Sequence, residues 1–269
     1  DATRLAKDAV RRGFHAVLAA GGDGTVNETA AALCHSRTRL GIIPCGSGNG
    51  LARHLGIPID IDDALTIIGR GRHLVCDYAE VNSKPFFCTF GVGFDAEVSW
   101  RFARQHRRGK LSYIRSTIAE YIRYRPQIYT IRANGTIVTD KAFLVAVCNA
   151  SQYGNNAYIA PHASLTDGLL DVTIIHSGSA LSTMVAGADL MTGLIDKNAI
   201  IDTFRADSLV IERAADGPAH IDGEPIHIDN VMDIKCHHAA LSILTPEEHD
   251  HRHFYPIVTP ISDAIKDMG

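Results

Sequence analysis

No stretch of this sequence approaches the ~20 uninterrupted apolar residues that a membrane-spanning helix requires. The N-terminus also lacks the basic-then-apolar layout of a signal peptide, so a soluble, cytoplasmic protein is the expectation. Cys34, Cys45, Cys76, Cys88, Cys148 and Cys236 never fall into a C-x-x-C spacing. Neither a zinc site nor a disulfide framework is suggested, and the thiols are expected to be reduced and mostly buried. The formal net charge of -4 offers no general attraction to nucleic acid. Internal repeats and low-complexity linkers are absent too. What is present is 269 residues that are 46% hydrophobic, enough for a full core in one large domain or two modest ones.

The chain changes character along its length. Up to about Arg72 helix and strand patterns alternate: helix over Ala2–Gly13, strand over His15–Ala20, helix over Val26–Cys34, strand over Leu40–Pro44, then helices over Asn49–Leu55 and Asp62–Ile68. This rhythm predicts an α/β domain with a parallel sheet over residues 1–73. From 74 to 245 short β-rich runs dominate, including Ile128–Arg132, Ala142–Cys148, Leu170–Ile175, Ser208–Glu212 and Ala239–Leu244. The pairs Asn134-Gly135, Asp167-Gly168, Asp216-Gly217 and Asp222-Gly223 punctuate them as turns. A mostly antiparallel, β-sandwich-like second domain follows, with its main helical interruption from about Ala96 to Arg125. The segment 246–269 is expected to pack back on the first domain.

The sharpest local signal is Gly21-Gly22-Asp23-Gly24-Thr25-Val26-Asn27-Glu28, which follows an apolar strand and opens a helix. Consecutive glycines bring bare N–H groups against phosphate oxygens, and the helix adds its positive end. Asp23 inside such a cradle would repel phosphates unless it binds magnesium or takes a proton. The plainer alternative is a strand-to-helix turn with Asp23 or Thr25 as N-cap. A second cluster, Cys45-Gly46-Ser47-Gly48-Asn49-Gly50, follows the next strand and leads into another helix. Two parallel strands would thus end in glycine turns on one sheet edge, where such folds bind ligands. Neither cluster is a Walker sequence, because no Lys follows the glycines, and neither has the dinucleotide G-x-G-x-x-G spacing.

This pair of motifs resembles the catalytic domain of diacylglycerol kinases, sphingosine kinases and their bacterial lipid kinase relatives. Asp77 with Asn82, Gly91-Val92-Gly93-Phe94-Asp95-Ala96, Ala160-Pro161 through Asp171, and Asp222-Gly223-Glu224 extend the resemblance over nearly the whole chain. It implies a nucleotide-binding α/β domain, a β-sandwich-like domain, and transfer of the ATP γ-phosphate to a lipid hydroxyl in the cleft between them. The family's first strand and its Asn-Pro-x-(Ser/Gly) loop have no counterpart here, so part of the ATP site is expected to be missing. The implied nucleotide contacts are Gly21, Gly22, Asp23, Gly24, Thr25, Val26 and Asn27, with Gly46, Ser47, Gly48 and Asn49. Ser47 stands where Thr is frequent and keeps the hydroxyl.

Phosphoryl transfer needs positioning, charge neutralisation by Mg2+ and a proton acceptor. Asp23, Asp222 and Glu224 are the candidates. From turn chemistry alone Asp222-Gly223-Glu224 is a hairpin tip with solvated acids. A strand would put both acids on one face, and a tight turn would let them diverge. The resemblance implies that one is the general base, with Glu224 favoured, and the other its orienter or a magnesium contact. It also implies a magnesium ion in the second domain, held by Asp167 with carbonyls such as those of Ser164 and Leu169; the alternative is that Asp167 only forms the turn. Between Trp100 and Arg125, eight basic residues from Arg101 to Arg125 face a single acid, Glu120, with aromatics interleaved. This reads either as a solvated helical face or as peripheral contact with an anionic membrane surface that holds the lipid substrate. His249, His251 and His253 read as a solvated connector. Two other functions stay open: an NAD kinase-like enzyme and a non-catalytic ATP-binding regulatory module.

Overall fold

The computed structural model describes residues 1–103, 123–154 and 156–246. Its first part runs α1 (Ala2–Arg11), β1 (Ala16–Gly21), α2 (Asp23–Leu33), β2 (Arg39–Pro44), α3 (Gly50–His54) and α4 (Ile61–Arg70). Then come β3 (His73–Val81), β4 (Lys84–Phe86), β5 (Thr89–Gly93), α5 (Phe94–Ala103), β6 (Gln127–Ala133), β7 (Thr136–Cys148), β8 (Leu170–His176) and α6 (Ala180–Thr192). The chain finishes with β9 (Ile201–Ala206), β10 (Ser208–Arg213), β11 (Gly217–Ile221), β12 (Glu224–Ile228) and β13 (Val231–Leu244). This is the expected mixed architecture, an N-terminal α/β unit joined to a β-sandwich-like one. No helix among the described residues is long and apolar enough to cross a membrane.

Strands β1 and β2 pair in parallel from Ala16↔Arg39 to Gly21↔Pro44, so their C-terminal ends and the glycine turns after them share one edge. Leu33, Leu40, Ile42, Leu51 and Leu55 pack beside this pair in the first core. Strand β7 shows how sequence becomes layering. Its run Leu144–Cys148 is apolar without a break, and period-two alternation sends Val145 and Val147 into one core with Phe90, Leu170 and Ile211. Leu144, Ala146 and Cys148 enter another core with Ile159, Ile175 and Ala186. Both faces of the strand are covered, so no polar position is required between the apolar ones.

The two units are joined through β13. Val231–Lys235 pair with β10, the stretch from Ile234 to Leu244 with β3, and Ile243 near its end with Leu40 of β2. The register slips between His237 and Leu241, where Ala239 adopts a positive φ of 51°. The buried carboxylate of Asp77 holds this bulge. It accepts from Ala239 N at 2.7 Å and Gly168 N at 2.6 Å, and His238 Nδ1 lies 2.9 Å away. One side chain thereby ties β3, the bulge and the turn before β8.

Several boundaries differ from the sequence pattern. Helix α2 begins at Asp23 and not Val26, with Gly22 as N-cap, so Asp23, Gly24 and Thr25 already belong to the first helical turn. Helix α6 falls in a region read as β-rich, because apolar residues spread around the helix give little 3.6-residue contrast. The expected interruption from Ala96 is helical over Phe94–Ala103, and most of its remainder, like 247–269 with His249, His251 and His253, lies outside the described residues. The Asn134-Gly135 and Asp222-Gly223 turns form as expected, with φ of 53° and 73°, and 48° and 82°. Two-residue hairpins of this hand need positive φ at both central residues. Asn82-Ser83 makes the same turn between β3 and β4 with no glycine to announce it.

Replacing Asp77 by Asn should cost about 2–3 kcal/mol, since two short backbone bonds lose their charged acceptor. Ala239→Gly should gain about 0.5–1 kcal/mol by relieving the left-handed backbone. Urea denaturation of both variants checks the pair of signs. Equal midpoints would show that the bulge carries no tension and that Asp77 is not its anchor.

Candidate active site

The two glycine turns meet backbone to backbone. A methyl group on Gly46 would come within 2.5 Å of Gly22 Cα, and one on Gly48 within 2.7 Å of Asp23 Oδ2. Only glycine allows that approach. Asp23 does not cap its own helix. Its Oδ2 accepts from Asn49 N at 2.9 Å and its Oδ1 from Gly50 N at 2.7 Å, so it caps the start of α3 across the crevice. Asn49 sits buried with φ 50° and spends its amide on Gly46, accepting from its N at 2.9 Å and donating to its carbonyl at 2.8 Å. Val26 turns its side chain into the core. Thr25 fills the space beside Gly21, and Ser47 stands exposed at the tip of the second turn. The residues inferred to bind nucleotide therefore divide in two. Gly21, Gly22, Gly24, Gly46, Ser47 and Gly48 border the crevice, while Val26, Asn27 and Asn49 keep its shape.

The hairpin between β11 and β12 brings Asp222 and Glu224 to the same crevice, and its turn sends them apart. Asp222 is caged. Its Oδ1 accepts from Cys88 N at 2.8 Å and Thr89 N at 2.9 Å, and its Oδ2 from Phe87 N at 3.0 Å and the Asn27 amide at 2.8 Å. Burial pushes its carboxyl above the ordinary range, and these same N–H donors pull it only part of the way back. All of these partners are donors, so the cage favours the ionised form. The expectation of two solvated acids at a hairpin tip therefore fails for Asp222, because its turn is pressed between α2 and the strand leading into β5. Glu224 is different. It is exposed, and its Oε1 lies where a methyl on Gly24 would sit.

A cleft of about 170 Å³ opens between these parts, with Gly24, Asn27, Lys84, Asp222, Glu224 and Ile226 among its walls. Lys84 was not anticipated, since a lone lysine in a hairpin carries no sequence signal. Three further contacts close the region from the second unit. His54 Nδ1 lies 2.9 Å from Ser151 Oγ, and Gly154, at φ 108°, packs on Gly48. Asp95 Oδ2 takes Tyr153 Oη at 2.8 Å and His220 Nε2 at 3.0 Å, and buried His220 Nδ1 has no hydrogen-bond partner. Cys88 lies against Gly50. Burial, with the charges of Asp222 and Asp23, pushes its thiol well up, so it packs and does not react.

The turn inferred to hold magnesium in the second unit is occupied by its own bonds. Asp167 Oδ1 accepts from Leu169 N at 3.1 Å, and Ser164 Oγ accepts from Thr166 N at 3.3 Å. Arg205 Nη1 stands 3.8 Å from Asp167 Oδ2. Among the described residues no three His, Cys, Asp or Glu side chains converge as a metal site. Ser164, Asp167 and Leu169 thus share one turn beside Arg205.

Comparison with known proteins agrees with this architecture. Residues 1–81 match the diacylglycerol kinase catalytic domain, and residues 88–245 match the YegS C-terminal NAD kinase beta sandwich-like domain. A "Probable lipid kinase YegS-like" from Pectobacterium atrosepticum is 30% identical over 233 residues, covering 84% of this chain and 77% of that protein. An uncharacterised Synechocystis protein is 32% identical over 240 residues, 86% of this chain, which spans only 55% of that relative's length. A solved structure from Bacillus anthracis str. Sterne, described as a "putative diacylglycerol kinase", superposes with a TM-score of 0.76 over 92% of this chain and 82% of that one. At 24% identity it speaks for the fold.

Truncating Asp222 to Ala would leave three backbone N–H groups and the Asn27 amide buried without an acceptor. A loss of about 3–5 kcal/mol is expected by thermal or urea unfolding. Asn27→Ala, which removes one donor of several, should cost about 1 kcal/mol. Similar losses for the two would mean that the cage is not centred on Asp222.

Proposed function

Because the chain belongs to the family that joins a diacylglycerol kinase catalytic domain to a YegS-type C-terminal domain, we propose that it is a lipid kinase. It would move the γ-phosphate of ATP to a lipid hydroxyl, with a diacylglycerol or sphingoid-type acceptor. One observation carries the reading: an exposed carboxylate, Glu224, rests against Gly24 of the first glycine turn while its neighbour Asp222 is locked in place two residues away.

The chemistry follows from what each group is free to do. Helix α2 starts at the first glycine turn with no side-chain cap, so its first backbone N–H groups are the ones that would meet phosphate oxygens. Lys84 adds a positive charge on the cleft wall. Asp23 keeps the two turns together, and each of its oxygens retains a lone pair beyond the amide it accepts, so it and Glu224 are the carboxylates able to hold magnesium beside the phosphates. Bound there, the metal would neutralise charge building on the transferred group. Asp222 cannot turn to accept a proton without breaking its cage. Glu224 can, and the proton of the attacking hydroxyl goes to its free oxygen. Asp222 then acts by positioning, since its bonds set the hairpin from which Glu224 projects.

Labelled ATP with magnesium should transfer phosphate to vesicles containing diacylglycerol or sphingosine, and not to NAD or to water. Glu224→Gln keeps the size of the side chain but cannot take the proton. Turnover should fall about 10²–10⁴-fold with ATP affinity nearly unchanged. Gly46→Ala should weaken ATP binding at least about tenfold by parting the turns, whereas Gly69→Ala, in open space on α4, should not. Near-normal turnover of Glu224→Gln at saturating ATP and magnesium would remove Glu224 from the role of base.

A further inference from the structure

The hairpin that carries Asp222 and Glu224 lies at the margin of its sheet. Among the described residues β12 pairs with β11 alone, and β11 meets β5 over only His220↔Gly91 and Ile221↔Phe90. An edge hairpin with so few ladder bonds opens easily, so side chains decide where it stands. Three anchors do so. At the base, buried Arg213 donates from Nη1 to the Pro218 carbonyl at 2.9 Å and from Nη2 to the Ile228 carbonyl at 3.2 Å. At the tip stands the Asp222 cage. Between them is His220, two residues before Asp222 and paired with Pro225, the neighbour of Glu224.

His220 is 2% exposed, and its Nε2 lies 3.0 Å from Asp95 Oδ2. A carboxylate oxygen only accepts, so Nε2 carries the hydrogen. Tyr153 Oη donates to the same Oδ2 at 2.8 Å, and Asp95 Oδ1 accepts from Ala96 N at 2.8 Å in the first turn of α5. Gly91 makes room for the pair, since a methyl there would collide with both His220 Nε2 and Asp95 Oδ2. Gly154, the residue after Tyr153, packs on Gly48. The series His220–Asp95–Tyr153 thus runs from the hairpin to the second glycine turn. Packing alone does not ask for an imidazole here. Nδ1 is buried with no hydrogen-bond partner, a loss that a leucine of similar volume would not suffer. What leucine lacks is the bond to Asp95.

We propose that His220 is a positioning residue of this active site: anchored on Asp95, it sets the stand of the β11–β12 hairpin and so the distance of Glu224 from the first glycine turn. The inference rests on the lipid kinase reading for its chemistry. A base must hold its accepting oxygen within hydrogen-bond reach of the acceptor hydroxyl, and a misplacement of about 1 Å can cost about 10²-fold in rate. His220 acts through Glu224 and not on the reacting groups.

Three substitutions separate positioning from packing. His220→Leu loses the bond and also the unpartnered nitrogen, so its unfolding midpoint should move little. Turnover on dispersed short-chain diacylglycerol should nonetheless fall about 10–10²-fold with the KM for ATP unchanged. Without substrates, the amides of Ile221 to Glu224 should exchange with deuterium faster than in the wild type. His220→Gln, whose side-chain N–H reaches the place of Nε2, should restore turnover to within about threefold and slow the exchange again. His220→Asn, whose N–H ends nearer the place of Nδ1, should do neither. Turnover of His220→Leu within about twofold of the wild type overturns the proposal. So does a loss that Gln and Asn share equally, or one that follows a fall in the midpoint, since either makes His220 a packing residue only. A wild type that phosphorylates no lipid removes the kinase reading, and deuterium exchange then decides alone. Equal exchange at Ile221 to Glu224 in wild type and His220→Leu overturns the anchor, whereas faster exchange that Gln reverses upholds it.

Discussion

The caged carboxylate of Asp222 is the constraint on which the candidate active site depends. A buried carboxylate is expensive to desolvate, and here the cost is offset by N–H groups from Phe87, Cys88, Thr89 and Asn27. These donors come from separate parts of the chain: α2 of the first unit, and the segment entering β5 of the second. Satisfying one anion therefore fixes the approach of the two units and the position of the β11–β12 hairpin. Glu224 inherits its place from that arrangement, two residues beyond the caged acid and past a turn that requires positive φ.

The same economy governs the other junctions. Asp23 closes the two glycine turns by accepting from the first amides of α3, and Asp77 closes the β13 bulge by accepting from Ala239 and Gly168. In each case an acid sits where backbone N–H groups would otherwise lack acceptors, so its loss exposes several unsatisfied donors together. The glycines work from the opposite direction. They matter at Gly22, Gly24 and Gly46 because of the atoms that occupy the space a side chain would need.

The segment that carries Ser151–Gly154 and Tyr158 ties the second glycine turn to α6. It packs against the second glycine turn through Gly154, against Asp95 through Tyr153, and against α6 through Tyr158. The glycine turns and α6 are thereby held in one frame. In this fold the antiparallel strands supply that frame, with β7 covered on both faces by apolar cores.

Much of this was legible in the sequence, because it depends on local pattern. Alternating periodicities announced the parallel β1–β2 unit, Asn134-Gly135 and Asp222-Gly223 announced their hairpins, and glycine clusters after two strands announced a crevice on one sheet edge. Other features were decided only by tertiary contact. Residues 26 to 195 positions away from one another determine that Asp23 caps a helix other than its own, that Asp222 is caged while Glu224 is free, and that Asp167 faces an arginine. No local propensity encodes which donors a carboxylate will meet. Helix α6 escaped notice for another reason: apolar residues lie around most of its circumference, so little periodic contrast marks it in the sequence. Composition and period determined the elements and their order, whereas the partners of each charged group, and so the division between caged and open acids, were set by the folded chain.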